Sequence, residues 1–319
     1  MMTQQTMQAI RVHSYGEPEQ LMLEQIERPQ PQAGQVLLRV HAAGVNPIDW
    51  KIRQGLLKDF MPTTFPYTPG LDVAGVVEEI GPGVTAFEIG QAVFGQATSG
   101  SYAEYATASI DVLAPMPRTL NFTEAASVPV GAATAWAALF EYGGLTASQR
   151  VLIQGAAGGV GLFAVQLAKW KGAQVIGTSS TANLDFVRGL GADTVVDYTT
   201  TPVESAVQDV DLVLDGVGEK TLTSSLATVR RGGTLISIAT PPSQEHAQER
   251  GVHAMMIHSQ PSSLLLQTLA QLIDEGQLKV PAIPTFPLNQ AQQAQNISQS
   301  GHGRGRIVLR LTTEPTHHR

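Results

Sequence analysis

Residues 151–161 read VLIQGAAGGVG, an apolar run that ends in a turn of glycine and alanine. After this turn, apolar side chains recur at the spacing of one helix face, at Val160, Phe163, Ala164, Leu167 and Ala168. A strand, a tight turn and an amphipathic helix are therefore predicted in direct succession. This succession is typical of a parallel sheet whose strands are joined by helices.

The turn itself has the residue types of a dinucleotide-binding fingerprint. Ala156, Gly158 and Gly161 occupy its three positions, with alanine in place of the first glycine. A pyrophosphate reaches backbone N–H groups only where no side chain intrudes, and a helix N-terminus favours an anion. We therefore predict that this turn binds a dinucleotide cofactor; the alternative is a tight turn that binds nothing.

The end of the next predicted strand bears on which dinucleotide binds. Residues 177–183 read GTSSTAN and contain no carboxylate, whereas an NAD-specific site places an acid here for the ribose hydroxyls. Ser179 and Ser180 are small donors suited to a 2′-phosphate, so the sequence favours NADPH over NADH; the alternative is that both are ordinary loop and helix-cap residues. No lysine or arginine stands in this loop, and Arg304 or Arg306 would supply a positive charge if the fold brings the tail of the chain close.

The pattern of predicted elements changes near residue 121, which indicates two domains. Before about residue 121, short β-rich runs are separated by glycine and proline, at 36–41, 73–80, 92–94 and 102–106. An alanine-rich helical stretch is predicted at 123–142. Beyond it, strands at 174–178, 194–197, 211–215 and 234–239 alternate with helices at 184–190 and 220–229. Further helices are predicted at 262–275 and 289–299, and a closing strand at 307–311 is expected to return to the first domain.

Composition excludes several classes of protein. The 319 residues suffice for two domains, and 43% hydrophobic with 15% charged residues predicts a folded chain. The net charge of −7 disfavours a dedicated nucleic-acid binder, and no apolar run approaches the roughly 20 residues of a membrane span. The chain has no cysteine, so disulfides and thiolate metal sites are excluded, and its eight histidines form no metal-binding motif. No secretory signal is visible, and a cytoplasmic protein is expected.

Several further segments, in the same order along the chain, resemble the zinc-independent quinone oxidoreductases, or ζ-crystallin-like proteins, of the medium-chain dehydrogenase/reductase superfamily. Besides the glycine turn, they are AGVNPIDWKIRQG at 43–55, FPYTPGLDVAGVV at 65–77, VPVGAATAW at 128–136, LGADTVVDY at 190–198 and DLVLDGVG at 211–218. The resemblance extends over residues 7–311, nearly the whole chain.

The resemblance implies a fold and an activity. The fold is α/β: a Rossmann doubly wound parallel sheet at 125–263 plus a discontinuous GroES-like β-barrel domain at 1–124 and 264–319. Family members are usually homodimers that bind NADPH and reduce small-molecule quinones, enones or related activated double bonds. Zinc-using relatives place a Cys and a Gly-His-Glu segment in the first domain. This chain has no Cys and reads PGLD at 69–72, so no metal is expected.

The family's cofactor residues carry over to matching positions. The resemblance implies that the pyrophosphate is bound by Gly158, Gly159, Val160 and Gly161, and the 2′-phosphate by Ser179, Ser180 and Tyr198. The nicotinamide half is expected to contact Thr134, Thr240, Met256, Ile257 and His258. Asn183 stands where many members have a lysine or arginine near the phosphate. That departure weakens the expected hold on NADPH.

The resemblance also places candidate catalytic residues near the acceptor. Tyr67 is the candidate proton or oxyanion donor, with a packing aromatic as the alternative. Asn46 could donate from its side-chain amide, or simply serve as a turn residue before Pro47. Trp50 is expected to shape the pocket, and Asp49 to anchor the loop.

Two other functions stay open at this point. An enoyl-thioester reductase would share the fold and the hydride chemistry. A non-enzymatic NADPH-binding protein, crystallin-like or RNA-associating, would need only the glycine turn.

Overall fold

The structure is a computed structural model that describes residues 5–301 and 303–311. It divides into two compact units. Unit 1 comprises Met1–Val130, Pro261–Glu275 and Val280–Arg319, and unit 2 comprises Gly131–Gln260 and Gly276–Lys279. The sequence predicts domain boundaries after residues 124 and 263, whereas the corresponding boundaries between the units fall after residues 130 and 260. No helix in the described part of the chain is long and apolar enough to cross a bilayer.

The strands and helices are numbered in chain order. The strands are β1 (Thr6–Arg11), β2 (Met22–Glu27), β3 (Gln35–Val45), β4 (Asp72–Ile80), β5 (Ala92–Gln96), β6 (Tyr105–Ser109), β7 (Leu113–Pro115), β8 (Arg150–Gln154), β9 (Gln174–Ser179), β10 (Thr194–Asp197), β11 (Val210–Asp215), β12 (Val229–Ser237), β13 (His253–Met256), β14 (Thr285–Pro287) and β15 (Ile307–Arg310). The helices are α1 (Pro47–Arg53), α2 (Phe122–Ala125), α3 (Pro129–Trp136), α4 (Gly161–Trp170), α5 (Leu184–Gly189), α6 (Val203–Ala206), α7 (Glu219–Thr228), α8 (Gln244–Arg250), α9 (Ser263–Asp274) and α10 (Ala291–Gln299).

Unit 2 contains a parallel sheet in the order β10-β9-β8-β11-β12-β13. The chain runs outward from β8 to β10, then returns to the other side of β8 and runs outward again to β13. Strands of such a sheet are covered on both faces and read as nearly continuous apolar runs, which is why Val151, Leu152 and Ile153 are all fully buried. The sheet confirms the Rossmann-type arrangement expected from the sequence.

Unit 1 contains a largely antiparallel sheet in the order β14-β15-β3-β4-β5-β7, with β6 also paired to β3. Strand β15, near the chain's end, pairs antiparallel with β3, with Leu309 opposite Ala43. The expectation that the last strand returns to the first domain is therefore confirmed. Alternating side chains of β3 and β4 supply one buried cluster, which includes Val36, Leu38 and Val77.

Several predicted elements have different bounds in the structure, and three of the differences have a clear description. The strand expected at 102–106 is β6, which begins at Tyr105, because Tyr102 bonds back to the Pro69 carbonyl in a turn instead. The single helical stretch expected at 123–142 is α2 and α3 followed by a π-helical turn, Ala137–Glu141. Pro129 lacks an N–H and starts a new helix. Strand β12 begins at Val229, within the residues expected to end a helix.

Candidate cofactor and acceptor sites

The predicted cofactor residues of unit 2 gather along one edge of its parallel sheet. Since all six strands run the same way, their carboxyl ends meet at that edge. The pairing of residues across the sheet shows this directly: Gln154 lies opposite Asp215, Asp197 opposite Ser179, and Ser237 opposite both Asp215 and Met256. Crevices at this edge, where the strand order reverses, are where open α/β sheets bind ligands.

The glycine turn, residues 155–161, joins β8 to α4 with little side-chain bulk. A Cβ atom on Gly161 would lie 2.7 Å from the Ala156 Cα atom, so only glycine lets the helix start this close to the turn. Among the described residues, the N–H groups of Gly159, Val160 and Gly161 have no hydrogen-bond acceptor. Free N–H groups at the start of a ten-residue helix suit an anion such as pyrophosphate.

A network of buried polar side chains fixes the start of the glycine turn. The N–H of Gly155 donates to Thr178 Oγ1 (3.1 Å), and that hydroxyl donates to Gln154 Oε1 (2.8 Å). Gln154 Nε2 donates to Ser225 Oγ (3.1 Å), which in turn donates to Asp215 Oδ2 (2.7 Å). Asp215 thus anchors the network and the turn after β11, so it is committed to structure rather than to the cofactor.

The carboxyl end of β9 presents hydroxyl groups suited to a phosphate. Ser179 is 3% exposed, and its Oγ is buried without a hydrogen-bond partner. Ser180 is half-buried and its Oγ accepts from Asn183 Nδ2 at 3.3 Å. A buried hydroxyl without a partner is costly, so Ser179 Oγ is a site where a ligand oxygen would relieve that cost.

The structure also reveals an acid that the sequence pattern did not assign to this edge. Asp197 ends β10 directly opposite Ser179, and its carboxylate accepts from Thr181 Oγ1 and Thr199 Oγ1, both at 2.6 Å. These hydrogen bonds lower the pKa of Asp197, so it is ionised at neutral pH. Its neighbour Tyr198 is 54% exposed. The register of β9 and β10 would have placed Asp197 beside Ser179, but a local sequence motif does not determine the register between parallel strands.

Two segments expected at the nicotinamide half lie together. Ser259 Oγ donates to the Ala133 carbonyl at 3.3 Å, which joins the segment of Met256, Ile257 and His258 to the helix that carries Thr134. Ile257 is 5% exposed, whereas His258 is exposed.

Thr240, the other residue expected at the nicotinamide half, follows strand β12. It is half-buried, and its Oγ1 is buried without a partner. Residues on this edge therefore fit a dinucleotide through three free N–H groups and two unpartnered hydroxyls.

The predicted catalytic region of unit 1 contains a cluster of buried polar side chains, here called the buried cluster: Asn46, Asp49, Asp72, Tyr102 and Arg306. Asp72 Oδ2 accepts from Arg306 Nη2 (2.7 Å) and from Asn46 Nδ2 (3.0 Å). Asp49 Oδ2 accepts from the Asn46 N–H (2.8 Å) and from Tyr102 OH (3.0 Å). Asn46 therefore links the two carboxyl groups.

This arrangement gives structural partners to two residues that had other expected roles. One N–H of the Asn46 side-chain amide donates to Asp72, its Oδ1 is left without a partner, and a role toward the acceptor stays a prediction. Arg306, considered as a phosphate contact, is committed to Asp72. Arg304 is an exposed residue of unit 1, and its role at the phosphate stays a prediction.

Burial changes the acidity of both carboxyl groups in the buried cluster. Removal from water raises the pKa of Asp49 to about 7, and the negative charge of Asp72 adds to this rise. Burial likewise raises the pKa of Asp72 to about 6, although Arg306 opposes the rise. Two carboxyl groups share one guanidinium, so the cluster retains a proton at pH values where exposed aspartates are fully ionised.

A cavity of about 540 Å³ adjoins the buried cluster within unit 1. Its lining includes Asp49 and Tyr67 together with Ile52, Met61 and Leu71. The mixture of an apolar wall with a few polar groups is typical of a small-molecule site. Trp50 is not part of this lining; it is half-buried in α1 with its Nε1 lacking a partner.

Tyr67 is held at the cavity by its backbone. Its N–H and carbonyl exchange hydrogen bonds with Val12, and Arg11 grips the same loop through the Pro66 carbonyl (2.8 Å) and Thr68 Oγ1 (3.1 Å). The Tyr67 hydroxyl is buried without a partner, and burial raises its pKa further above the usual value. The hydroxyl therefore stays protonated and is a hydrogen-bond donor that has no acceptor among the described residues.

The described residues contain no group of three or more His, Cys, Asp or Glu side chains arranged to hold a metal ion.

Comparisons with known proteins give a consistent result over both units. Residues 32–118 match the family model described as an alcohol dehydrogenase GroES-like domain, and residues 190–309 match the model described as a zinc-binding dehydrogenase. A quinone oxidoreductase of Mus musculus is 35% identical, with 97% of this chain and 99% of that protein covered.

Two solved structures are similar in fold. The quinone oxidoreductase from Coxiella burnetii has a TM-score of 0.89 and 33% identity, with 97% of this chain and 100% of that chain covered. A mycobacterial protein solved as a complex with NADPH has a TM-score of 0.87 and 29% identity, with 96% of this chain and 100% of that chain covered.

Proposed function

Since the chain belongs to the quinone oxidoreductase family of the medium-chain dehydrogenase/reductase superfamily, we propose that it is an NADPH-dependent reductase of quinones, enones or similarly activated double bonds, acting without zinc. Its coarser class, an oxidoreductase of this superfamily, follows from the family alone. The acceptor class, the cofactor preference and the independence from zinc are the proposal.

The observation that carries the proposal is the sheet edge of unit 2. Three free N–H groups of the glycine turn suit a pyrophosphate, and the unpartnered hydroxyls of Ser179, at the end of β9, and Thr240, just after β12, lie on the same edge of the sheet. When bound there, the reduced nicotinamide supplies the hydride, and the protein orients the acceptor and excludes water.

The preference for NADPH rests on opposing features of the same edge. Ser179 and Ser180 offer neutral donors to a 2′-phosphate, whereas the ionised Asp197 opposes its negative charge. The preference is therefore expected to be modest. Titration with both cofactors under one set of conditions measures it.

Independence from zinc is supported by the donor chemistry of unit 1. Zinc sites are built from Cys, His and carboxylate ligands. This chain has no Cys, and Asp72 is already paired with Arg306. We expect exhaustive treatment with a chelator to leave the activity unchanged; loss of activity that added zinc restores would contradict this part.

For the assembly and location, we propose a cytoplasmic homodimer paired through unit 2, as the family resemblance implies. Light scattering of the purified protein tests the dimer, and a monomeric mass would contradict it.

The central experiment follows the oxidation of NADPH and NADH with a panel of acceptors. The panel contains p-benzoquinone, a naphthoquinone, 2-cyclohexenone and a crotonyl thioester. Turnover with quinones or the enone supports the proposal. Turnover with the thioester alone would favour an enoyl-thioester reductase, and tight NADPH binding without any turnover would favour a non-enzymatic binding protein.

A further inference from the structure

Asp49 is a buried carboxyl group whose two oxygens have different surroundings. Oδ2 accepts from the Asn46 N–H and from the Tyr102 hydroxyl, whereas no described donor reaches Oδ1. The side chain is only 3% exposed, yet Asp49 forms part of the cavity lining. Since Oδ2 is enclosed by its two donors, Oδ1 is the oxygen left for the cavity.

This asymmetry decides where a proton resides when the group is neutral. An oxygen that accepts two hydrogen bonds has no room for a hydrogen of its own in the same directions. The proton of the neutral acid therefore lies on Oδ1 and makes it a donor. The same cavity contains Tyr67, so two potential donors border one space.

We propose that Asp49 is the proton donor to the acceptor, through the O–H on Oδ1. The inference rests on the proposed function and adds a catalytic residue to it. In the reduction of an enone, hydride from the reduced nicotinamide forms a C–H bond at the β-carbon. The electrons of the carbon–carbon double bond move toward the carbonyl oxygen, and the Asp49 proton passes to the resulting enolate.

After that step the nicotinamide is oxidised, the acceptor is reduced and Asp49 is a carboxylate. Solvent protonates Asp49 again before the next turnover. For a quinone, one hydride and one proton give the hydroquinone, so the balance is the same. Tyr67 contributes a hydrogen bond to the developing oxyanion, and its protonation state is unchanged.

The charges around Asp49 are compatible with this role. Asp72 and Arg306 face it from β4 and from the segment before β15, Tyr102 and Asn46 bond to it, and Tyr67 shares its cavity. The pKa of about 7 lets Asp49 hold its proton near neutral pH and still release it to a more basic enolate.

The pH dependence of kcat/KM provides the first test. Wild-type activity is expected to fall about tenfold per pH unit above the pKa of Asp49, because the acid form is consumed. Asp49→Asn keeps an acceptor for Asn46 and Tyr102 but has no proton to transfer. We expect kcat/KM of this variant to lose the decline above the pKa of Asp49, and to be roughly 10²–10⁴-fold below the wild-type value at pH 6. Asp111→Asn, a matched change at an exposed carboxylate of unit 1, is expected to keep the wild-type profile.

Tyr102→Phe provides a test that does not depend on the folding of Asp49→Asn. The Tyr102 hydrogen bond lowers the pKa of Asp49, so its removal is expected to move the activity limb to higher pH. A purely structural role of Asp49 would lower the activity at every pH without moving the limb.

Infrared spectroscopy gives a readout that needs no turnover. Two buried carboxyl groups should give carbonyl stretches that disappear as pH rises in the wild type, that of Asp72 near its pKa of about 6 and that of Asp49 near its pKa of about 7. The component that titrates at the higher pH should be absent from the Asp49→Asn difference spectrum.

An active wild type whose pH limb persists in Asp49→Asn, or stays in place in Tyr102→Phe, overturns this inference alone. A wild type that oxidises neither cofactor with any acceptor overturns the proposed function and the inference together. The two failures are therefore distinguishable.

Discussion

The glycine turn of unit 2 and the buried cluster of unit 1 present polar groups in contrasting ways. The turn offers neutral N–H groups, and the network beneath it is satisfied from Gly155 down to Asp215. The buried cluster instead encloses two carboxyl groups and one guanidinium, with Asn46 Oδ1 and Arg306 Nε left without partners. The glycine turn of unit 2 is thus suited to bind a charged ligand, whereas the buried cluster of unit 1 contains charged groups of its own.

This difference indicates what each region can do. Neutral donors at a helix start bind an anion without burying a charge of their own. A buried carboxyl with incomplete compensation shifts its pKa and becomes able to exchange a proton near neutral pH. We therefore propose that the first region binds the cofactor and that the second carries out acid–base chemistry. The following predictions test this division, from the largest expected effect to the smallest.

Arg306→Met should be the most disruptive change, because it leaves Asp72 buried without its cation. We expect a loss of about 3–5 kcal/mol in the free energy of unfolding at pH 8, measured with urea. Arg188→Met, which breaks an exposed ion pair with Asp185, should cost less than about 1 kcal/mol. Equal losses in the two variants would show that burial does not make the pairing of Asp72 with Arg306 more important than an exposed ion pair.

Gly161→Ala should separate binding from folding in unit 2. A Cβ atom there meets the Ala156 backbone, so the helix start must shift away from the turn and the three N–H groups lose their alignment. We expect the Kd for NADPH to rise about 100-fold, or roughly 2.7 kcal/mol, by calorimetry. Gly189→Ala is the matched control, since a Cβ atom there has no neighbour within 4 Å. Unchanged affinity in Gly161→Ala would remove the glycine turn from the cofactor site.

The stability of Asp49→Asn relative to wild type should depend on pH. The raised pKa of Asp49 means that the folded wild type binds more protons than the unfolded chain between about pH 4 and pH 7. Asp49 therefore destabilises the folded wild type increasingly as pH rises through that window. Relative to wild type, the variant should gain roughly 2 kcal/mol between pH 5 and pH 8 in urea titrations. A constant difference across this range would show that Asp49 has an ordinary pKa.

Ser179→Ala should have the smallest effect and reveal the cofactor preference. Loss of a hydroxyl that bonds a 2′-phosphate should raise the Kd for NADPH about tenfold, or roughly 1.4 kcal/mol, and leave that for NADH unchanged. Ser205→Ala, at an exposed position of the same unit, should change neither. Equal weakening of both cofactors would assign Ser179 to the loop rather than to the phosphate.

The same two regions differ in how far sequence alone could describe them. The glycine turn depends on residue types within 11 positions, and the pattern of strand, small residues and helix was sufficient to predict it. Asp197 was missed because its neighbour Ser179 is contributed by another strand, and only the register of β9 and β10 joins them.

The buried cluster was harder still to predict. Asn46 and Asp49 were identified from one motif, but Tyr102 and Arg306 come from distant parts of the chain and meet them only in the folded unit. One N–H of the Asn46 side chain donates to Asp72, a pairing that no local pattern encodes. Hydrogen-bond direction and burial, which fix the roles of these side chains, are properties of the packed structure.

The most direct test of the account is the fate of a labelled hydride. The protein would be supplied with NADPH deuterated at the transferable position of the nicotinamide, with 2-cyclohexenone as the acceptor in ordinary water. The account predicts deuterium on the β-carbon of the product and a solvent-derived hydrogen at the α-carbon. A product without deuterium would contradict it, as would the absence of product from both the enone and the quinones despite saturating NADPH.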